Sequence, residues 1–591
     1  MSQLFKIAID NRNYSNWTIY DASSFEITRV DIECNPIQHK LFNGDVFSYE
    51  NSIVTIKHSS IRNIDNIPAV LILSNNKTFG RNAKGKLLYK CVPDDIRLPA
   101  FLVPYEIKNV GFSKVFPNLY VTIHCTDWSD KQPHAVLTNS IGPVDILDNF
   151  YEYQLYCKSL HASIQKFTKD ASTTLTNTTT TKTIVATDAL NEAFIQNIAS
   201  KMYPDIEHRL ANWSIFSIDP TNSKDFDDAF SIKKIDNNTV LLSIYIANVS
   251  ILMDALNLWP SFSQRISTIY LPDKKRPMLP TVLSDCLCSL QAGSYRFAFV
   301  LDLTIDIRNY EIVSTKYSNC LIRVEKNFVY EEPDLLVYAP YLALFDIVKN
   351  LTKKYKYINN IRNSHEAVCY LMILMNFFSA KELLKARVGI FRSTVVKKGK
   401  ECLHDEAIVP EEISKFVKIW NSSYGQYIDI SLVDDPALYK HDLLEMDAYI
   451  HITSPIRRLV DLLNMIQFQR VFGLNALSQN ADDFYLKWIN QLDYINVTMR
   501  AIKKVQNDCA LMDTCFNNLA TLDALYDGYC FDKILRSDGL YQYIVYLPEL
   551  KLTSKITVRE NMDNYALRQY KLFVFNNEER FKKKIRLHIH M

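Results

Sequence analysis

The sequence predicts an α+β protein, a central unit of mixed strands and helices flanked by small β units. Three observations predict it. Residues 1 to about 165 carry short β-branched and aromatic runs, such as "SIVTIKH" and "LYVTIHC", punctuated by clusters of Asn, Asp, Gly and Pro that favour turns. From about 190 to 520 the patterns lengthen: "VLLSIYIANVSI" reads as a buried strand and "EAVCYLMILMNFFSAKELLKA" as a largely buried helix. After about Asp523 the chain returns to β character in "YQYIVYLPEL" and "YKLFVFNNEERFKKKIRLHIH", which ends with a basic edge. Between the first two regions, "ASTTLTNTTTTKT" at 171–183 is a polar tract that offers little to bury and reads as a linker or an exposed insertion. No repeat of fixed period interrupts this order.

The chain has 591 residues, 48% hydrophobic and 22% charged, enough for several domains that each bury a core. Its formal net charge is only +2, so a polyanion has to be held by a local basic groove and not by the field of the whole molecule. "MSQLFKIAID" has no secretory pattern, and the longest apolar stretch, "CYLMILMNFF", is too short for a bilayer and reads as part of a buried helix. Twelve cysteines occur without a CxxC pair. Cys286 and Cys288 lack histidines at zinc-ligand spacing, which favours packed, reduced thiols and an intracellular protein.

The segment "IDPTNSKDFDD" concentrates Asp219, Asp225, Asp227 and Asp228. Two carboxylates about 4 Å apart repel by about 4 kcal/mol at an effective dielectric near 20, so a folded cluster needs solvent or a cation. An Asx-rich turn with charges pointing apart is the plain reading. A calcium loop fails on Lys224 at its sixth position, where glycine is needed, and on Phe230 at its twelfth, where a glutamate is needed. Magnesium takes a few carboxylates and leaves its other positions to water and substrate phosphates, which suits phosphodiester hydrolysis. A second segment, "YIHITSPIRRLVDLL", places Arg457 and Arg458 after a Ser-Pro turn at a helix start. They read either as a solvated helix start or as a planar phosphate grip, and two cations there oppose the helix dipole.

Taken together, these stretches resemble the ribonuclease II, or RNB, exoribonucleases, a family that includes the exosome catalytic subunit. "WSIFSIDPTNSKDFDDAF" is similar to the family's aspartate signature and "HITSPIRRLVDLL" to its second signature. "YLPDKKRPMLPTVLSDCLCSL" at 270–290 is similar to the block between them, and the likeness continues into "FVYEEPD" from Phe328 and "NVTMRAIKKVQND" from Asn496. It covers most of residues 200 to 515.

The resemblance implies a magnesium-dependent enzyme, with manganese as a substitute, that digests single-stranded RNA processively from the 3′ end to nucleoside 5′-monophosphates. Carried over by position, Asp219, Asp225, Asp227 and Asp228 hold or orient metal and water. Asp225, Asp227 and Arg457 then carry catalysis, with Asp227 the one whose neutralisation abolishes turnover. Arg457 and Arg458 bind RNA, Arg457 at the scissile phosphate. Tyr270 falls on a stacking aromatic, and Tyr330 on an aromatic tied to RNA preference; core packing is the plain reading of both tyrosines. The implied domains are a degenerate first OB or cold-shock-like domain at 1–70, a second at 71–165, a linker at 166–195, the RNB catalytic domain at 196–520 and a C-terminal OB-type RNA-binding domain at 521–591. The implied partners are single-stranded RNA and a larger RNA-degradation complex, with no membrane. The implied location is cytoplasmic or nuclear, an organelle or a virus being other settings.

Six positions depart from common relatives: Tyr245 and Asn248 replace His and Asp, Cys369 and Tyr370 replace glutamates, and Met465 and Ile466 replace His-Arg. They leave two functional classes open besides the active exoribonuclease: a catalytically silent RNA-binding or scaffold subunit, and a nuclease acting on single-stranded DNA.

Overall fold

The computed structural model describes all residues except 1–2, 25, 27–33, 51, 108–115, 179–187, 358–360, 395–409, 422–424 and 591. The chain divides into two units.

One unit combines Met1–His161, Leu271–Lys274 and Lys503–Met591. Its first sheet orders Trp17–Asp21, Leu4–Ile9, Val46–Glu50 and Ile53–His58, and a closed barrel follows from Ile67–Leu71, Leu88–Pro93, Phe101–Pro104, His134–Pro143 and Leu119–Asp127. Alternation decides which face is buried. Phe5, Ile7 and Ile9 turn inward along the first strand and share one core with Phe47, Ala69, Leu71 and Val121. The boundary expected between residues 70 and 71 therefore cuts the first barrel strand, which pairs with Leu119–Asp127 from Ile67 onward. Near the C-terminus, Leu552–Val558, Tyr541–Leu547, Tyr526–Leu535, Leu567–Asn577 and Lys582–Ile589 form a five-stranded sheet over a core that includes Tyr526, Tyr543 and Tyr570. These barrel-like β elements fit OB folds.

The other unit takes Ala162–Tyr270 and Lys275–Ile502. Its seven-stranded sheet runs in the order Glu207–Arg209, Glu311–Arg323, Tyr295–Asp306, Thr239–Ala247, Asp228–Lys234, Phe216–Asp219, Lys326–Val329. Thr239–Ala247 is the central strand and is fully buried from Leu242 to Ala247, with Ser243 and Tyr245 hydrogen-bonded to Asp302 and Ser231. The helix Ser364–Ala386 lays Leu371, Leu374 and Met375 into the same core as Phe299 and Leu301. It begins where the Asn363 side chain accepts the Glu366 amide at 2.8 Å. It ends at Arg387 in a left-handed turn followed by Gly389, whose φ of +100° and closeness to Leu383 leave no room for a side chain. At 23 residues this helix is long and apolar enough to cross a membrane by length and composition, and here its apolar residues line the protein core.

The Thr-rich tract departs from the linker reading. Gln165–Thr178 is a helix that buries Phe167, Ala171 and Leu175. Their i, i+4, i+8 spacing makes one thin apolar stripe, which is all that a helix against a core needs, and Thr173 and Thr176 are exposed on the other face. Residues 179–183 of the tract lie outside the described residues. The described cysteines are free thiols, most of them buried, as the spacing predicts.

Candidate active site

The four aspartates lie around one end of the sheet. Asp219 is the last residue of Phe216–Asp219, which runs parallel to Lys326–Val329, and its carbonyl accepts the Tyr330 amide at 3.1 Å. Asp228 opens the strand Asp228–Lys234, and the Asp227 carbonyl accepts the Ala247 amide at 2.8 Å. The intervening loop is pinned by the "CLCSL" block: Ser289 Oγ accepts the Phe226 amide at 3.0 Å and donates to the Lys224 carbonyl at 2.7 Å, and the Leu290 amide reaches the Phe226 carbonyl at 3.0 Å. Two sequence blocks some 60 residues apart thus set the loop that carries Asp225.

The arginine arrives from the far side. Asp461, fully buried in the first turn of the helix Leu459–Val471, accepts the Ser454 amide at 2.8 Å and the Arg458 guanidinium at 2.9 Å. Those bonds tie the Ser-Pro turn. The Arg457 carbonyl accepts the Thr268 amide and the Ser267 hydroxyl, both at 2.9 Å. Asp227 then receives the Ile456 amide on one oxygen at 3.1 Å and Arg457 Nε on the other at 3.0 Å. The terminal nitrogens of Arg457, one of which bonds Ser454 Oγ, border the cleft with the side chain 43% exposed. Arg458 lines the same cleft, but its guanidinium is held by Asp461 inside the protein, so Arg457 has the freer guanidinium for a phosphate.

The cleft holds about 930 Å³ and is lined by all four aspartates, Tyr270, Tyr330, Arg457 and Arg458. Every residue named from the sequence for the site meets here. The remaining wall includes groups the sequence reading did not name, chiefly Lys275, Asp285, His365, Asn376, Tyr449 and His451. Lys275 and Asp285 lie inside the quoted 270–290 block, and that placement was the signal the sequence offered for them. Desolvation in the cleft wall, and then the neighbouring Arg458 and Arg392, hold the pKa of His451 well below the usual range; it stays neutral and its Nδ1 shares a hydrogen bond with the Tyr427 hydroxyl at 2.8 Å.

The carboxylates differ in how they are satisfied. Asp225 receives Lys275 Nζ at 2.9 Å and the Tyr270 hydroxyl at 3.2 Å, one on each oxygen. Asp227 is met by Ile456 and Arg457. One oxygen of Asp219 and one of Asp228 are buried without a hydrogen-bond partner. Burial, then repulsion from Asp227 and Asp225, lifts Asp219 from 3.8 to about 7; burial also lifts Asp227 to about 7 despite Arg457, and burial with repulsion from Asp219 and Asp227 lifts Asp228 well above the carboxylate range. Buried, unpartnered carboxylate oxygens on neighbouring strands are what a hard divalent cation requires, so the site fits magnesium at Asp219 and Asp228. Among the described residues no three His, Cys, Asp or Glu side chains converge as a group that could by itself hold a metal ion. An ion here would therefore draw further ligands from water and substrate.

A pH dependence follows from these carboxyls. The folded chain keeps protons that the unfolded chain releases near pH 4. The associated stability is full below that pH and is lost as pH rises through about 7. In chelator, the thermal midpoint is expected to fall by a few °C between about pH 5.5 and about pH 8, with magnesium raising it more at the higher pH. A midpoint indifferent to pH and magnesium in scanning fluorimetry would contradict the carboxylate environment described here.

The six departures fall in different places. Tyr245 is buried in the sheet and bonds Ser231 at 2.8 Å, and Asn248 caps the helix Val249–Ala255 and bonds Asn319 at 2.8 Å. Tyr370 donates to the Tyr355 carbonyl at 3.1 Å, while Met465 and Ile466 are core. Of the six, Cys369 lines the cleft, 3.8 Å from His365 Nδ1. Tyr330 stands beside it with its ring edge-on to His365, 5.1 Å between centroids.

A family profile described as the RNB domain matches residues 207–340. The ribonuclease R of Chlamydia pneumoniae is 24% identical over 309 residues, covering 42% of this chain and 45% of that protein. The chain spans less than half the length of such curated relatives. Among solved structures, Mycoplasma genitalium RNase R in complex with ribose-methylated single-stranded RNA has the same fold: TM-score 0.66 at 15% identity, covering 99% of this chain and all of that one. Yeast Ssd1, described as a pseudonuclease, shares the fold at TM-score 0.60 and 12% identity, over 96% of this chain and 81% of that one. The profile match marks an RNB domain at residues 207–340, and over nearly the whole chain the fold is similar to that of RNase R.

Proposed function

We propose that this protein is a magnesium-dependent exoribonuclease that digests single-stranded RNA processively from its 3′ end to nucleoside 5′-monophosphates. The observation that carries the proposal is a cleft in which buried, unpartnered oxygens of Asp219 and Asp228 lie with an Arg457 guanidinium oriented by Asp227. Magnesium, when bound, supplies charge for the phosphodiester and lowers the pKa of a coordinated water. The chain's own groups do the rest. Arg457 presents planar donors to a phosphate oxygen, and Asp227 fixes its direction. Tyr270, 41% exposed at the rim, offers a ring on which any base can stack, which suits digestion without sequence preference. An intracellular setting and a larger RNA-degradation complex belong to the same proposal.

The shared fold includes a pseudonuclease, so fold does not decide turnover, and Cys369 in the cleft wall gives the silent-subunit reading its own observation. The deciding test incubates the protein with 5′-labelled single-stranded RNA and the matching DNA, in magnesium and in chelator. Stepwise shortening of RNA to a short limit product with released monophosphates, only with magnesium, is the expected result. RNA bound but not shortened establishes the silent reading, and equal digestion of DNA removes the ribose specificity.

Arg457→Ala is expected to lower kcat by about 10²-fold or more while changing RNA affinity little, because the clamp acts on one phosphate and the cleft binds many. Single-turnover rates alongside filter-binding constants check this, and a variant turning over at the wild-type rate refutes the clamp.

A further inference from the structure

We infer that Lys275 is a resident cation for Asp225, so that the acidic cleft takes one divalent ion, on Asp219 and Asp228, and not two. The inference rests on the magnesium reading above and adds to it how many ions the cleft holds and which carboxylates hold them.

The geometry divides the aspartates into two classes. Lys275 and Tyr270 are cross-strand partners in the small hairpin of Ile269–Tyr270 and Lys275–Arg276, so one rung delivers both donors to Asp225. Lys275 Nζ lies 2.9 Å from Asp225 Oδ1 and 3.0 Å from Asp285 Oδ1, and the Tyr270 hydroxyl takes Asp225 Oδ2. With side-chain exposures of 26% for Lys275, 12% for Asp225 and 16% for Asp285, this is a largely desolvated triad and not a solvated surface pair. Asp227 is likewise committed, to Ile456 and Arg457. Only Asp219 and Asp228 of the four keep a buried oxygen without a partner. A two-ion phosphodiesterase places a second divalent charge beside the first. At Asp225 such an ion would have to displace an ammonium already bonded to both flanking carboxylates and would meet its like charge. Lysine therefore supplies at that corner a fixed positive charge that needs no ion from solution, and Asp285 keeps it in place.

The experiment counts ions with the full chain and manganese as the probe, reading free Mn²⁺ by electron paramagnetic resonance. The wild type is expected to bind one ion in the cleft, defined as the ion lost in Asp219→Asn and Asp228→Asn. Asp225→Asn is expected to keep that ion, and Lys275→Met, which removes the ammonium shared by Asp225 and Asp285, to bind two. Two cleft ions in the wild type, or loss of the ion in Asp225→Asn, overturn the inference and leave the magnesium reading standing. A single ion in a folded Lys275→Met also overturns it. No bound ion in the wild type overturns both. Should Lys275→Met fail to fold by circular dichroism, the wild-type count and Asp225→Asn decide the matter.

Discussion

Asp227→Asn is expected to cut RNA digestion by about 10³-fold or more in kcat while RNA affinity stays within a few-fold of wild type. Asp227 is 3% exposed and joins the two halves of the site, its oxygens taking the Ile456 amide and Arg457 Nε. Asparagine can still accept the amide through its remaining oxygen. It must then turn an NH₂ toward Arg457, donor against donor, so the guanidinium loses its anchor while the backbone is kept. Loss of one negative charge also makes the cleft less repulsive to RNA, which is why binding survives. Single-turnover decay of labelled RNA beside a mobility-shift titration separates the two quantities. Digestion at the wild-type rate would remove Asp227 from the chemistry, and loss of binding with loss of fold would make it a structural residue only.

The second large effect concerns stability. Arg209→Met is expected to destabilise the unit that carries the cleft by about 3–5 kcal/mol. Arg209 is 2% exposed and pairs with Asp302 through two nitrogens at 2.8 and 2.6 Å, with Glu207 at 2.7 Å, and its guanidinium lies 4.5 Å from the Trp213 ring. Taking the arginine away leaves Asp302 charged and buried, with Ser243 as its remaining donor among these contacts. The double change Arg209→Met with Asp302→Leu removes both charges and is expected to recover most of the loss, because burying an ion pair costs desolvation that an apolar pair does not. Urea denaturation followed by fluorescence measures both variants. A loss below about 1 kcal/mol in the single variant would show that Asp302 finds another cation or takes a proton.

Much of the site was legible because its chemistry is local in sequence. Asp219, Asp225, Asp227 and Asp228 fall within ten residues, and Arg457 follows a Ser-Pro turn at a helix start. Both segments declare unusual charge where a fold must explain it. Lys275 and Asp285 were within a quoted block yet unnamed, since a lysine in "DKKRP" looks like any solvated loop lysine until its hairpin rung is known. The Thr-rich tract misled in the opposite direction. Composition measures how much can be buried, whereas Phe167, Ala171 and Leu175 needed only to be on one face of a helix.

By itself, then, the sequence determined the α+β class, the strand-rich flanks and the acidic and basic segments, because alternation, helical spacing and charge density are properties of neighbouring residues. Tertiary structure alone decided which aspartate oxygens are left unpaired, that Arg457 reaches Asp227 across 230 positions, and that Lys275 reaches Asp225 across 50. Those outcomes depend on which donors the folded chain brings within about 3 Å of a given oxygen, and no local pattern encodes a distance between segments that meet only when the sheet and its helices close around the cleft.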